Sequence, residues 1–170
     1  MKAIHIRTLQ ADDVEALLAF ELENRDWFER HIDSRGSAFY SVQGITTHIS
    51  AFLNGFATGN WHPFVIEDPQ GRIIGRANLK DIDRAGFRAE VGYRIAEDAC
   101  GQGLATTALE HLIRVAQSQW KLRQLVASVY ASNLGSAKVL ERCGFTRAAL
   151  DREDDSLHDY RFDLVTQRIE

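Results

Sequence analysis

The residues best placed to do chemistry form one short stretch, Glu97-Asp98-Ala99-Cys100-Gly101-Gln102-Gly103-Leu104-Ala105, which follows a strand-like segment and runs straight into a long helical pattern. Gly101 and Gly103 remove side chains where a ligand could approach the main chain closely. The first-turn N–H groups of a helix have no internal acceptor. An anionic diphosphate placed there gains charge-assisted hydrogen bonds of about 1.5–3 kcal/mol each, and the helix dipole adds roughly 0.3–1 kcal/mol. The same glycines would also serve a plain tight turn. A dinucleotide fingerprint fits poorly, because its third glycine is missing and the turn arrives only after strands joined by hairpins. A Walker-type loop is excluded, since no Gly-Lys-Ser/Thr follows.

About thirty residues further on stands Asn133-Leu134-Gly135-Ser136-Ala137-Lys138-Val139-Leu140-Glu141-Arg142-Cys143-Gly144-Phe145. Asn133 is a good N-cap, and Ser136 falls about one turn inside that helix, on a face able to meet a ligand. Gly144 reads as the left-handed stop.

These two segments need elements to hold them. Ile4–Thr8 reads as a first strand. Asp12 or Asp13 opens a helix with the stripe Val14, Leu17, Leu18 and Glu21–Leu22, and Asn24–Asp33 reads as a short helix carrying Trp27 and Phe28. Thr46 is the expected cap of a helix bearing Ile49, Phe52, Leu53 and Phe56. Trp61–Glu67, Arg72–Leu79 and Phe87–Ile95 are strands, joined by turns at Asp68-Pro69-Gln70-Gly71 and Asp83-Arg84-Ala85-Gly86. Leu104, Ala108, Leu109, Leu112, Ile113, Ala116 and Trp120 mark one long amphipathic helix. Leu125–Val129 is a buried strand, and Phe145–Leu150 and Asp159–Val165 close the pattern as two more. The fold class is α+β in three layers: a mixed sheet with helices on both faces.

The chain has 170 residues, 45% hydrophobic and 26% charged, with a net charge of −4. That length suits one domain over 1–170. The interspersed charge disfavours a nucleic-acid binder, which needs a concentrated basic face. No apolar run approaches the roughly 20 residues that span a bilayer, and no signal peptide is evident, so a cytoplasmic protein with reduced cysteines and no membrane partner is expected. His5, His31, His48, His62, His111 and His158 show no metal spacing, and no metal site is assigned.

Taken together, the glycine turn and the Asn133 segment strongly resemble the GNAT acetyltransferase superfamily. The family loop reads Gln/Arg-x-x-Gly-x-Gly/Ala, and this chain has Asp98-x-x-Gly101-x-Gly103, with Asp98 at the first position. Asn133-x-x-Ser136, Gly144-Phe145 and Glu90-Val91-Gly92-Tyr93-Arg94-Ile95 are similar to the RimJ/RimL-type ribosomal-protein N-terminal acetyltransferases. The resemblance implies a GNAT-like acyl-CoA N-acyltransferase fold. Its sheet is mostly antiparallel, with a splayed parallel pair formed by Phe87–Ile95 and Leu125–Val129. It also implies acetyl-CoA as cosubstrate. The diphosphate would lie on the amides of Cys100, Gly101, Gln102, Gly103, Leu104, Ala105 and Thr106. The pantetheine arm would run along Tyr93, Arg94 and Ile95, with Asn133 and Ser136 at the far wall, and amides near Ile95 would polarise the thioester carbonyl.

An α-amine with pKa near 8 is only about a tenth neutral at pH 7, so a base helps. Glu90 matches a glutamate used as base in some relatives; alternatively it is a solvated glutamate paired with Arg88 or Arg94. Many relatives place a tyrosine where this chain has Leu140, so Ser136 is the candidate for hydrogen-bonding the departing sulfur. Cys100, at a helix N-terminus, is expected to have a lowered pKa, although both it and Cys143 also read as small packing residues. Trp27, Phe28 and Tyr40, with Phe39, fall where relatives form the acceptor pocket, and equally read as core. The acidic run Asp151–Asp155 reads as a hairpin turn or as an attractor of a cationic acceptor. The implied reaction is acetyl transfer to an amine, with a protein N-terminus first. A small-molecule amine, or a non-catalytic CoA-binding module, stands as the alternative. A homodimer is left open.

Overall fold

In the computed structural model, described for residues 3–30, 34–148 and 156–164, a seven-stranded sheet organises the chain. Its strands are β1 (His5–Thr8), β2 (His62–Glu67), β3 (Ile73–Asp83), β4 (Arg88–Ile95), β5 (Gln124–Tyr130), β6 (Thr146–Arg147) and β7 (Leu157–Asp163), in the spatial order β1-β2-β3-β4-β5-β7-β6. All neighbours are antiparallel except β4 and β5. The helices are α1 (Val14–Glu23), α2 (Arg25–Glu29), α3 (Val42–Ala57), α4 (Leu104–Ser118) and α5 (Leu134–Arg142).

The pleat sorts the two faces. Arg76 on β3 stands opposite Arg94 on β4, and both reach Glu21 of α1, so α1 and α3 cover that face. Phe64 on β2 stands opposite Ala77 and meets the His111 ring of α4 edge-on, which puts α4, with α5 beside it, on the other face. The core lies where Leu17, Phe20, Ile45 and Ile49 press on one side of β2–β4 and Ala108, Leu109 and Leu112 on the other, all buried. Burying each of the larger side chains is worth about 1.5–3 kcal/mol. This is the expected three-layer α+β architecture with helices on both faces.

Local chemistry explains the ends. Asp68 and Asp83 form the two hairpin turns by accepting backbone N–H bonds: Asp68 from Gln70 and Arg72, Asp83 from Ala85 and Gly86. β3 runs four residues past the expected Leu79, because Asp81 takes a positive φ of 49° and the register shifts between Lys80 and Asp83.

Four details differ from the sequence pattern. α3 starts one turn earlier than a Thr46 cap implies: Ser41 Oγ accepts from Gly44 N at 3.0 Å, while Thr46 lies inside the helix and donates to Val42 O. α1 does not bury Leu22, which is 49% exposed; its inner stripe is Leu17, Phe20 and Glu21. Trp120 lies beyond the end of α4 and donates its indole N–H to His62 Nδ1 at 2.9 Å. α2 ends at Glu29, and the remainder of the expected helix, 31–33, lies outside the described residues, as do His31, the end of the Phe145–Leu150 segment, the Asp151–Asp155 run and Val165.

Candidate active site

The parallel pair holds the site. β4 and β5 are bonded only through Arg88–Glu90 against Gln124–Val126. Beyond Glu90 they part, and a cavity of about 710 Å³ opens between Val91–Ile95 on one side and Ala127–Tyr130 on the other. The residues following β4 close one end of it. A short 3₁₀ turn at Glu97–Ala99 leads into Cys100, and Gly101 and Gly103 both take φ of +78°, a left-handed conformation that a side chain disfavours. A Cβ built on either glycine would meet no atom within 4 Å, so the space in front of the loop is open to a ligand. The helical ladder begins with Thr107 N–H bonding Gly103 O at 3.0 Å; the amides of Leu104, Ala105 and Thr106 precede it and have no helical acceptor. A diphosphate fits these groups chemically.

Cys100, Gly101, Gly103, Leu104, Ala105 and Thr106 all line the cavity, as do Tyr93, Arg94, Ile95, Asn133 and Ser136; Gln102 is exposed and is not part of the wall. Asn133 caps α5 through its side-chain oxygen, which accepts from Ser136 N at 3.2 Å. The Tyr93 hydroxyl donates to the carbonyl of Ser136 at 3.4 Å, and burial pushes this phenol up to about 12. A phenol therefore stands beside the first turn of α5 although position 140 is a buried leucine. Asp98 accepts from Arg72 Nη2 at 3.0 Å, and the same nitrogen donates to Glu23, so the loop's acidic residue is tied to the β2–β3 turn and to α1.

Cys100 differs from expectation. Its thiol donates to Ala96 O at 3.3 Å, and burial, reinforced by the Glu97 and Asp98 carboxylates, raises its pKa rather than lowering it. A thiol held protonated is a poor nucleophile.

On the α1–α3 side Arg76 and Arg94 line the cavity, and Glu21 of α1 and His48 of α3 hold them from behind. Glu21, 1% exposed, accepts from Arg76 Nη1 at 3.0 Å and from Arg94 Nη2 at 2.8 Å. Arg76 Nη2 also donates to His48 Nε2 at 2.9 Å, which fixes that imidazole as the neutral tautomer protonated on Nδ1. Burial, with Arg76 beside it, lowers His48 to about 3. Burial likewise lowers Arg94 to about 9, opposed by Glu21, which leaves the guanidinium charged at neutral pH. Trp27, Phe28, Arg35, Phe52 and Trp61 complete this wall. Phe28 packs under Arg94 and against Phe20, whereas Tyr40 lies beneath Arg25 outside the wall.

Glu90 lies at the point where the strands part. It pairs with Lys80, Nζ to Oε1 at 3.9 Å, and not with Arg88 or Arg94; Arg94 is committed to Glu21. Lys80 reaches this place because Gly92 has no side chain to block it: a Cβ there would sit 3.0 Å from Lys80 Cε.

Sequence reasoning did not single out Glu21, Arg76, Arg35, His48 or Asn78. The one available signal was a glutamate at a helix position whose neighbours are apolar. No cluster able to hold a metal ion occurs among the described residues, and none of their helices is long and apolar enough to cross a membrane.

Comparison with known proteins agrees with this geometry. An acetyltransferase (GNAT) domain model matches residues 4–146. Probable N-acetyltransferase YjcK of Bacillus subtilis is 30% identical over 155 residues, covering 90% of this chain and 86% of its own length. Ribosomal-protein-S5-alanine acetyltransferase from Vibrio fischeri superposes with a TM-score of 0.87 at 20% identity, over 96% of this chain and 94% of the other. Spermidine N-acetyltransferase from Vibrio cholerae, solved with CoA and spermine, superposes with a TM-score of 0.76 at 19% identity, over 95% of each chain.

Proposed function

The chain belongs to the GNAT acetyltransferase family and is an N-acetyltransferase, and on that premise we propose that it moves the acetyl group of acetyl-CoA directly onto the α-amine of a protein N-terminus. The observation that carries the reading is the cavity at the parting of β4 and β5, with glycine-flanked amides at one end and a polar pocket at the other. The fold likeness to the ribosomal-protein-S5-alanine acetyltransferase of Vibrio fischeri supports a protein acceptor.

In this reading the diphosphate of acetyl-CoA rests on the amides from Gly101 to Thr106, the expected Cys100 N–H being already bonded to Glu97 O at 3.3 Å. The pantetheine arm follows the β4 edge from Tyr93 to Ile95, which has no strand partner on that side among the described residues. The amine nitrogen attacks the thioester carbonyl carbon, the C–N bond forms, and the C–S bond breaks as sulfur takes the bonding pair. Glu90, as carboxylate, accepts the proton that the amine sheds. Ser136 hydrogen-bonds the departing sulfur, which gains its proton from solvent. Tyr93, protonated throughout the neutral range, holds that turn of α5 in place through the Ser136 carbonyl.

A second reading, transfer to a small-molecule amine, draws support from the shared fold of the spermidine enzyme. Thiol release from acetyl-CoA, followed by mass spectrometry, tests both on a library of peptides with free N-termini and a panel of small amines. A 42 Da gain, roughly one acetyl group, on peptide α-amines is expected. Modification of small amines alone would move the assignment to the second reading. Glu90→Gln is expected to lower turnover about 10²–10⁴-fold at neutral pH, and less at high pH, where the amine is already neutral.

A further inference from the structure

The α1–α3 wall of the cavity carries more positive charge than it neutralises. Arg35, Arg76 and Arg94 face the cavity, and Glu21 is the one carboxylate bonded to any of them among the described residues. Three guanidiniums against one carboxylate leave two positive charges. The other charged groups near them cancel in pairs, Arg25 with Glu29 and Lys80 with Glu90. Arg35 lies over the Phe39 ring, 4.7 Å from its centroid. His48 adds no charge and offers its ring nitrogen only to Arg76.

Two buried polar atoms on this wall have no partner. Arg76, 2% exposed, has an Nε–H with no acceptor, and Asn78 Oδ1, on the same strand face two residues on, has no donor. An unpaired buried polar atom is costly, and such atoms in a cavity wall are satisfied when a ligand binds. The pair has a polarity. The donor and the surplus charge lie at Arg76 and Arg35; the acceptor lies at Asn78, beside Lys80 and Glu90 where the strands part.

Resting on the assignment of this wall to the acceptor, we propose that the acceptor is an amine carrying an anionic group, a carboxylate or a phosphorus oxyanion, close to its nitrogen. The anion binds between Arg35 and Arg76, and an N–H of the amine donates to Asn78 Oδ1. Positions 76 and 78 are about 6.6 Å apart along the strand, which suits the two ends of one small acid or of one terminal residue and its neighbour. A polyamine has no group for the arginines and meets repulsion there.

Acetyl-CoA turnover on matched acceptors tests this. The anionic arm comprises aspartate, 2-aminoethylphosphonate and a Ser-Glu-initiated peptide; the others are glycinamide, spermine and a Ser-Lys-initiated peptide. The anionic acceptors should lead their neutral and cationic counterparts in kcat/KM by at least about tenfold, as one charge-assisted contact supplies. Which anionic arm leads distinguishes a free acid from an acidic N-terminus. Arg35→Gln, at an exposed position that folding tolerates, should erase most of that lead while leaving the KM for acetyl-CoA unchanged. Spermine or the Ser-Lys peptide matching the anionic arm would overturn the inference and leave acetyl transfer intact. Thiol release with none of the six would overturn the transfer reading, and this inference with it.

Discussion

The two ends of the cavity are made of different material. The end proposed for the cofactor is main chain: Gly101 and Gly103 at φ +78° and the unbonded amides at the start of α4. The end proposed for the acceptor is side chain: Arg76 and Arg94 from adjacent strands, backed by Glu21 from α1 and His48 from α3 and locked by bonds of 2.8–3.0 Å. Main-chain sites depend on backbone conformation and tolerate changes nearby. Side-chain sites made of buried charge depend on every member being present.

The sharpest way to break that contrast is Glu21→Gln. It leaves Arg76 and Arg94 buried without their counter-charge, and the loss should reach about 3–5 kcal/mol in unfolding free energy, read from the urea midpoint. Replacing Glu21 and Arg76 together by leucine and methionine should recover only part of that stability, because Arg76 is gone but Arg94 still lacks its counter-charge, and should not restore acceptor binding. Full stability in the single variant would mean that the network is not a unit.

The next effect tests the shared middle of the cavity. Ser136→Ala removes a hydroxyl from the proposed path of the departing sulfur while Asn133 still caps the backbone N–H of residue 136. A hydrogen bond to a charged group is worth about 1.5–3 kcal/mol, so kcat should fall about 10- to 100-fold, with KM for the acceptor held. Unchanged turnover would remove Ser136 from the mechanism.

Smaller still is Gly101→Ala. The left-handed backbone costs a Cβ about 1–2 kcal/mol, and the fold should absorb this with a modest drop in melting temperature, since the added methyl meets nothing. Binding is where the change should show. The methyl occupies the space a diphosphate would approach, and calorimetry should find CoA affinity reduced more than the stability loss explains. Equal losses would assign the glycine to the turn alone.

The contrast also governs what could be read from the residue order. That Gly101, Gly103, Asn133 and Ser136 come together at one cavity was legible because main-chain geometry writes its requirements locally, as glycines at a fixed spacing and a cap three residues before its partner. The strand and helix order was legible for the same reason, through the Asp68 and Asp83 turns and the period of α4. The network of Glu21, Arg76 and Arg94 was not, although Arg94 itself was expected along the cavity. Its members lie up to 73 positions apart, and each alone looks like a surface charge; only strand register puts Arg76 opposite Arg94 and under α1. The Thr46 cap failed because Ser41, a turn earlier, makes the same bond. Cys100 failed because burial, joined by the Glu97 and Asp98 carboxylates, sets the sign of its shift.

The smallest effect asks whether buried side-chain polarity outside the site behaves like that inside it. His48 belongs to the proposed acceptor end; His62 lies on the other face of the sheet, stacked on Phe64, where Trp120 donates to its Nδ1 and its Nε2–H donates to Thr8 Oγ1. Burial lowers His48 to about 3 and His62 to about 4. Both rings stay neutral in the folded chain, whereas in the unfolded chain they take up protons near pH 6.5. Their contribution is thus complete above pH 6.5 and is lost as pH falls from there toward the folded values. Between pH 7 and 6 the loss for His62 is about 0.7 kcal/mol, and it steepens toward one proton's worth per unit below that. Nuclear magnetic resonance should find both imidazoles neutral at pH 5 while the urea midpoint falls steadily from pH 7 to 5. If His48 alone titrates near 6.5, the Arg76 contact is open in solution, and the acceptor end is a looser assembly than the His62 cluster behind it.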